Sequence, residues 1–160
     1  MIFFITPCMS TLIVIDTNSF QPNPESSENI IEKINELCGY FDTVIVLSPI
    51  ENIDRIPIDN GKIGYINTLN TDSNKYQSKG VKGIIQQQIK DGNVCICGGN
   101  VGESILPTAI SINQYNNTQP YVITDRCYFK HNQDVLEDIL ENVIGEEKLL
   151  TEEEYLRQIV

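Results

Sequence analysis

The sequence predicts a single α/β domain over residues 1–160, a three-layer α/β/α sandwich with a mainly parallel sheet. Three observations predict this class. Short runs of apolar, β-branched residues recur along the chain, and continuous runs of this kind are typical of strands buried on both faces. Segments with apolar residues at helical spacing separate the runs. The length suits one domain with a sizeable core and is too short for two.

The first part of the chain predicts a strand, a helix and a second strand. Residues 11–15, TLIVI, form the first apolar run. Ser26 or Ser27 can cap a helix whose apolar positions keep helical spacing as far as Gly39. Residues 43–47, TVIVL, form the second run, so that the predicted helix connects two strands.

The middle of the chain predicts an irregular segment followed by two helices that flank a strand. Residues 51–74 are rich in Asn, Asp, Gly and Pro and predict at most one short strand. Helical spacing predicts a helix over residues 80–90. Residues 93–97, NVCIC, are the third buried run. A Gly-rich turn leads from this run into a helix over residues 101–115, where Pro107 is tolerated only in the first turns.

The last part of the chain predicts a strand and two helices. Residues 121–124, YVIT, form the fourth run, and residues 135–144 have helical spacing. Thr151 and Glu154 fit a capping box at the start of a final helix. Residues 132–160 hold nine carboxylates against two basic side chains, which favours a solvated helical face, with an acidic docking surface as the alternative.

The composition excludes several classes of protein. With 41% hydrophobic and 21% charged residues, the chain is neither disordered nor fibrous. No apolar run approaches the roughly 20 residues of a membrane span, so no membrane contact is expected. The 11 basic and 22 acidic residues give a formal net charge of −11, which opposes binding to phosphate backbones. Nucleic acid is therefore a poor candidate partner.

The cysteines and the single histidine limit the chemistry. Five cysteines, an odd number, favour reduced and buried thiols. Residues 1–9 lack the basic start and the cleavage site of a signal peptide and predict an N-terminal strand or docking arm. Cys95 and Cys97 would face opposite sides of one strand and make a poor metal pair. His131, the only histidine, cannot form a zinc cluster by itself.

Polar residues are predicted to collect at one edge of the sheet. Ligands of parallel sheets bind beyond the carboxyl ends of the strands, where Asp16 and the Gly-rich turn GGNVGES, residues 98–104, are expected. The free N–H groups and positive end of a helix at this turn suit an oxyanion or a carboxylate. A tight strand-to-helix turn without a ligand is the alternative explanation. The residues expected to contact such a ligand are Gly99, Asn100 and Ser104.

The order of segments along the chain is the most specific signal. It runs LIVID (12–16), a helix, VIVLSP (44–49), a lysine-bearing segment, VCICGGNVGESILPTAISI (94–112), VITD (122–125) and a capped terminal helix. This order resembles that of the isochorismatase-like hydrolases, which include the nicotinamidase-type cysteine hydrolases and the isochorismatases. The resemblance spans most of the chain and implies a Rossmann-like sandwich. Its best part is the Gly-rich turn followed by Ser104, four residues before Thr108 and Ala109.

The resemblance implies catalytic roles for three residues. Members of the thiol type use an Asp after the first strand, a Lys ahead of the Gly-rich turn and a Cys at the start of the next helix. By position, Asp16 is the general acid or base, and Lys75 is the lysine, with Lys79 as the second choice. The nucleophile position falls on Ser104. Outside the family context, an Asp at a strand end often caps a turn and a lysine in a polar segment is usually solvated.

Two departures from the family favour a catalytically degenerate protein over a working hydrolase. A serine hydroxyl is far less acidic than a thiol, whose reference pKa is about 8.5, and Asp is a weak base for it. Nicotinamidases carry an Asp-x-His and a further His beyond the second strand, whereas SPIENIDRIPIDN (48–60) holds no histidine. The sequence therefore predicts neither a metal nor a cofactor. The isochorismatases proper also dispense with the thiol, so an enzymatic option stays open.

Three functions compete. The first is a structural or assembly protein, a homo-oligomer or a subunit of a larger particle such as a phage virion, since the Ile- and Asn-rich composition fits an AT-rich genome. The second is a hydrolase of a small amide or vinyl ether that acts through Asp16 and Lys75. The third is a PIN-type ribonuclease that holds Mg²⁺ or Mn²⁺ with Asp16, Glu103 and Asp125, because LIVIDTNSF and VITDRCYF resemble acidic motifs of that class. The expected location is the cytoplasm or a particle assembled there.

Overall fold

The structure is a computed structural model that describes residues 10–17, 24–49, 63–68, 73–89, 93–129 and 132–158. The expected N-terminal strand or arm over residues 1–9, the histidine at position 131 and most of the predicted irregular segment 51–74 lie outside these residues. Within the described residues, none of the helices has both the length and the apolar character needed to span a bilayer.

The described strands form one six-stranded sheet in the order β3-β2-β1-β4-β5-β6, and each neighbouring pair is parallel. The strands are β1 (Ser10–Ile15), β2 (Thr43–Ser48), β3 (Ile63–Asn67), β4 (Asn93–Gly98), β5 (Tyr121–Cys127) and β6 (Leu149–Leu150). This is the strand order of doubly wound Rossmann sheets. The predicted α/β class and parallel sheet are confirmed.

Among the described residues, five α-helices connect or follow the strands. They are α1 (Pro24–Cys38), α2 (Val81–Gln88), α3 (Leu106–Asn116), α4 (Gln133–Val143) and α5 (Glu152–Gln158). A π-turn, Val101–Ile105, precedes α3, and short 3₁₀ turns cover Lys75–Gln77 and Glu146–Lys148. Right-handed crossovers place consecutive connections on both faces of such a sheet, which produces the three layers.

The apolar runs become the central strands because both of their faces are covered. In β1, the five residues from position 11 to Ile15 are buried, and β2 and β4 show the same burial pattern. Continuous apolar sequence is required where each strand packs against helices on two sides. The rings of Phe41 and Tyr155 stack at 5.5 Å, which ties the end of α1 to α5.

Several predicted boundaries were wrong. Helix α1 begins at Pro24 rather than after a Ser26 or Ser27 cap, because proline suits the first helical position, where its missing N–H costs nothing. Strand β5 continues to Cys127, three residues beyond the predicted end at position 124. The short strand β6 was missed, since two residues give no periodic signal.

The strand order creates a crevice between β1 and β4. The chain leaves β1 toward β2 on one side and leaves β4 toward β5 on the other, so the two connections diverge at the carboxyl ends of these neighbours. Ligands of open α/β sheets bind at such a switch point. Asp16 follows β1 and Gly98 ends β4, and therefore both lie at the mouth of this crevice.

Candidate active site

The Gly-rich turn is bound directly to the end of β1. Gly98 has φ +109°, and a Cβ atom at this position would lie 2.1 Å from the carbonyl oxygen of Ile15. The N–H of Gly99 donates to the same oxygen at 2.9 Å. Only glycine allows both the left-handed backbone and this close approach. The turn therefore faces the tip of β1, as the resemblance requires.

Asp16 lies beside the turn in a left-handed backbone conformation with φ +41°. Its N–H donates to the carbonyl oxygen of Leu47 at 3.1 Å, so β2 fixes where the chain leaves β1. Asp tolerates the left-handed region better than most residues do, because its short side chain can bond locally. The side chain is only 10% exposed, which places its carboxylate inside the crevice.

Ser104 reaches Asp16 from the start of the next helix. Its Oγ donates to Asp16 Oδ2 at 3.2 Å. The π-turn is closed by the N–H groups of Ser104 and Ile105, which both donate to the carbonyl oxygen of Asn100, at 2.8 and 3.1 Å. The second of these bonds spans five residues and so widens the first turn of the helix. From this widened turn the Ser104 side chain points toward Asp16 at the end of β1.

Lys75 completes the group. Its Nζ lies 3.2 Å from Asp16 Oδ2, and its side chain is 0% exposed. A buried ion pair loses roughly several kcal/mol of hydration for each ion, so such a pair is weak evidence for a purely stabilising role. Lys79, the second-choice lysine, is exposed. The structure therefore brings Asp16, Lys75 and Ser104 together on one carboxylate oxygen.

Fewer backbone N–H groups of the Gly-rich turn can donate to a ligand than the sequence suggested. The N–H of Gly99 is engaged by Ile15, and the N–H of Ser104 by the carbonyl oxygen of Asn100. Among the described residues, the N–H of Asn100 has no backbone acceptor, and the Gly99–Asn100 peptide bond is cis. The neighbouring strand uses the N–H of Gly99, and the expectation that Gly99 contacts a ligand stays a prediction.

The carboxylates proposed for a ribonuclease do not assemble. Asp125 lies within β5, where its Oδ1 accepts from the N–H of Glu152 at 2.9 Å and its carboxylate pairs with Arg126. Glu103 is exposed. Across the part of the chain that the structure describes, no three His, Cys, Asp or Glu side chains are grouped closely enough to hold a metal. The PIN-type metal site with Asp16, Glu103 and Asp125 is therefore a wrong prediction.

Among the described residues, the ends of β2 and β3 offer none of the histidine ligands that the resemblance implies for the metal of the nicotinamidases. The described polar groups at the ends of β2 and after β3 are the buried hydroxyls of Ser48 and Thr68, which are neutral. Transition metals in proteins are bound by imidazole, thiolate and carboxylate groups. No histidine occurs in residues 48–60.

The four described cysteines are buried, and their thiols are poorly suited to act as nucleophiles. Burial raises the pKa of Cys38, Cys95 and Cys127 to about 12. Burial, with a further contribution from Cys127, raises the pKa of Cys97 well above its usual range. Because the thiolate is the reactive form, these four side chains are inert near neutral pH.

Thr108 contacts the group of Asp16, Lys75 and Ser104 although the sequence suggested no role for it. Its Oγ1 accepts a hydrogen bond from the N–H of Lys75 at 3.0 Å, and both residues are buried. One signal was present in the sequence: hydroxyl residues recur at positions 104, 108 and 111, a spacing that puts them on one helix face.

Comparison with solved structures supports the fold at low sequence identity. The nicotinamidase of Staphylococcus aureus superposes with a TM-score of 0.64 and 14% identity over 86% of this chain and 97% of that one. The yeast nicotinamidase gives a TM-score of 0.64 and 15% identity over 89% of this chain and 99% of that one. The yeast enzyme bound to the inhibitor nicotinaldehyde gives 0.62 and 15%.

The fold expected from the resemblance to isochorismatase-like hydrolases is thereby confirmed. No family model matches the chain, and no curated protein sequence matches it. At this level of identity the similarity carries the fold, and the activity has to be argued from the residues of the site.

Proposed function

We propose that this chain, with the fold of the nicotinamidases, is a hydrolase of a small amide or vinyl ether that acts through Asp16, Lys75 and Ser104. One observation carries the proposal: Asp16 Oδ2 lies 3.2 Å from both Lys75 Nζ and Ser104 Oγ in a buried crevice. A degenerate scaffold would have no reason to keep an ion pair that costs hydration on both sides.

The hydrogen bond between Ser104 and Asp16 favours the amide route. As Ser104 Oγ bonds to the carbonyl carbon, its proton passes to Asp16. The carbonyl oxygen takes up negative charge near the N–H of Asn100, a donor of the oxyanion-hole kind. Asp16 then returns the proton to the leaving nitrogen as the C–N bond breaks. Water cleaves the resulting ester of Ser104 by the same steps, which releases the acid.

The vinyl ether route uses Asp16 as an acid. The carboxyl group would give its proton to the terminal carbon of the double bond, and water would add to the neighbouring carbon before the C–O bond breaks. That water returns one proton to Asp16, and the hydroxyl group formed on the carbon then passes its own proton, through Asp16, to the leaving ether oxygen as the C–O bond breaks, which releases a carbonyl compound and an alcohol. An ammonium group beside a carboxylate favours the ionised form, so Lys75 opposes this role and favours Asp16 as a base.

The first test compares three variants on nicotinamide, simple aliphatic amides and isochorismate. Asp16→Asn removes the proton acceptor while keeping the shape, and we expect a loss of at least about 10²-fold in kcat. Asp125→Asn is the matched control and keeps activity, because Asp125 holds α5 and lies outside the site. Ser104→Ala abolishes amide hydrolysis and spares the cleavage of a vinyl ether.

Two results decide against the proposal. Turnover that survives Asp16→Asn would remove the role of that residue. A wild-type protein inactive on the whole screen would favour the alternative of a structural or assembly subunit, for which the described residues supply no supporting observation. Measurement of its mass in solution would then show whether it forms the homo-oligomer or larger assembly expected from the sequence.

A second test needs no known substrate. Ser104→Cys puts a thiol beside Lys75 and at the start of a helix, two features that stabilise a thiolate. We expect iodoacetamide to modify this cysteine at neutral pH while the four buried cysteines stay unmodified. The double variant Ser104→Cys, Lys75→Met is the control and should react more slowly. Equal rates would show that the lysine does not act on this position.

A further inference from the structure

The turn that carries Lys75 is attached to α3 through two side-chain hydrogen bonds. The N–H of Lys75 donates to Thr108 Oγ1 at 3.0 Å. Next to it, Asn74 Nδ2 donates to Ser111 Oγ at 2.7 Å. Both hydroxyl groups belong to buried residues, where a hydrogen bond is shielded from competing water. The backbone of the lysine is thus tied to the helix.

These two hydroxyls continue a stripe that begins at Ser104. Positions 104, 108 and 111 are four and three residues apart, so their side chains share one face of the helix. Ser104 contacts Asp16, Thr108 contacts the backbone of Lys75 and Ser111 contacts Asn74. One helix face therefore sets the positions of the carboxylate, the lysine and the hydroxyl relative to one another.

Aromatic contacts hold the same turn independently of Thr108. The rings of Tyr76 and Tyr115 stack at 5.5 Å, and Asn116 Nδ2 donates to the hydroxyl of Tyr76 at 3.2 Å. Asn74 also caps the turn, since its Oδ1 accepts from the N–H of Tyr76 at 3.1 Å. Loss of the Thr108 hydroxyl would therefore leave the turn folded while releasing the backbone of Lys75.

We propose that Thr108 is a positioning residue, whose hydroxyl fixes the backbone of Lys75 and thereby the distance between Lys75 Nζ and Asp16 Oδ2. A lysine side chain is long and flexible, so its ammonium is placed well only when the backbone end is fixed. The predicted effect on turnover rests on the proposed function. The effect on the ion pair does not.

The structural arm of the test compares three variants by crystallography and by amide hydrogen exchange. Thr108→Val keeps the shape of the side chain and removes the acceptor, so we expect faster exchange of the Lys75 amide and a longer separation of Lys75 Nζ from Asp16 Oδ2. Thr108→Ser keeps the hydroxyl and should keep the ion pair. Thr43→Val is the control, because it removes a side-chain hydrogen bond at the amino end of β2, away from the site.

The kinetic arm uses the best substrate of the screen. Misplacement by about 1 Å can cost on the order of 10²-fold in rate, so we expect Thr108→Val to lower kcat by about 10- to 100-fold with KM within about twofold. Thr108→Ser should restore kcat, and Thr43→Val should leave both constants unchanged. If Thr108 only stabilised the fold, Thr108→Val and Thr43→Val would lower the fraction of active protein to the same extent. In that case Thr108→Ser would not restore kcat.

The outcomes separate this inference from the proposed function. An unchanged ion pair in Thr108→Val overturns the inference. A broken ion pair with unchanged kcat supports the positioning and refutes the role of Lys75 in the proposed function. A broken ion pair in a protein whose wild type turns over nothing supports the positioning and refutes the proposed function. If Thr108→Val does not fold, Thr108→Ala removes the same acceptor with a smaller side chain, and an unmoved Lys75 in that variant overturns the inference.

Discussion

Gly98 is the residue on which the geometry of the crevice depends most directly. A Cβ at this position would lie 2.1 Å from the Ile15 carbonyl oxygen and 2.8 Å from its nitrogen, both of them backbone atoms. We therefore expect Gly98→Ala to lower the free energy of unfolding by about 3 kcal/mol or more, measured by urea denaturation. The left-handed φ of +109° adds to the cost.

Gly83 supplies the matched control for that substitution. It lies within α2, and an added Cβ there would meet nothing within 4 Å. Gly83→Ala should stabilise the protein by roughly 0.5–1 kcal/mol, because alanine loses less backbone entropy in a helix. Similar stabilities for the two alanine variants would contradict the close approach of β4 to β1.

The buried thiols give a second prediction at this scale. With pKa values of about 12 for Cys38, Cys95 and Cys127, only about one thiol in 10⁴ is ionised at pH 8. In a Cys8→Ser background, a disulfide thiol reagent should label no cysteine in the native protein at pH 8 and all four after denaturation. Rapid native labelling of even one of them would contradict the burial described here. Enzymatic turnover should also survive the reagent.

The sequence predicted which side chains lie together in the crevice, but it did not predict which backbone N–H groups are already hydrogen-bonded. The resemblance to the isochorismatase-like hydrolases suggested Asp16, Lys75 and Ser104 by position, and in the structure the other two side chains meet Asp16 at Oδ2. The N–H of Gly99 was assigned to a ligand, whereas the structure gives it to Ile15. Which acceptor a backbone group meets depends on the neighbouring strand, and no local pattern records that neighbour.

At the scale of elements, α5 begins with the capping box that the sequence predicted. Thr151 Oγ1 accepts from the N–H of Glu154 at 3.2 Å, and Glu154 Oε1 accepts from the N–H of Thr151 at 3.1 Å. The backbone hydrogen bond from Thr151, followed by its side-chain bond, lowers the pKa of Glu154. The capping box is therefore stronger when the carboxylate of Glu154 is ionised.

The lowered pKa of Glu154 makes the free energy of unfolding depend on pH. Because the folded-state pKa of Glu154 is depressed, its contribution is fully present above the unfolded value of about 4.3 and is lost as the pH falls through the lower folded-state pKa. Glu154→Gln keeps an acceptor that does not titrate. The stability of the wild type minus that of this variant should fall between pH 6 and pH 3 in chemical denaturation. A constant difference would contradict the capping role.

The end of β5 shows where an element could not be predicted. The sequence placed Asp125 just beyond a strand that ended at position 124, which suggested a carboxylate at the edge of the sheet. In the structure the strand continues, with an irregular register between Ile96 and Gly98 on β4, and Cys127 pairs with Gly98. Polar side chains can continue a strand when backbone pairing and a partner such as the start of α5 satisfy them.

The fold class could be predicted from the pattern of apolar residues, but the order of the strands in the sheet could not. Alternation of buried runs with helical spacing predicts a parallel sheet. The order β3-β2-β1-β4-β5-β6 needs the outer strands β3 and β6, and these are short and carry weak signals. Chain connectivity alone did not reveal that the switch point lies between β1 and β4, although the residues expected there proved to be neighbours.

The formal net charge of −11 affects which partners the chain can bind, because it opposes contact with other anions such as nucleic acid. The acidic residues of α4 surround three partly exposed apolar side chains, Val135, Ile139 and Val143, which recur at helical spacing. The expectation that the chain avoids nucleic acid and associates with itself or with a larger assembly stays a prediction.

The widened turn at Val101–Ile105 holds one more residue for each hydrogen bond than an ordinary helical turn. Successive residues of an α-helix are rotated by about 100°, so removal of a single residue between Asn100 and Ser104 would turn the serine hydroxyl away from Asp16. A change of one residue in the length of this turn would therefore separate the hydroxyl from the carboxylate on which the proposed chemistry depends. A lineage could acquire or silence the chemistry through length alone, with no exchange of side chains.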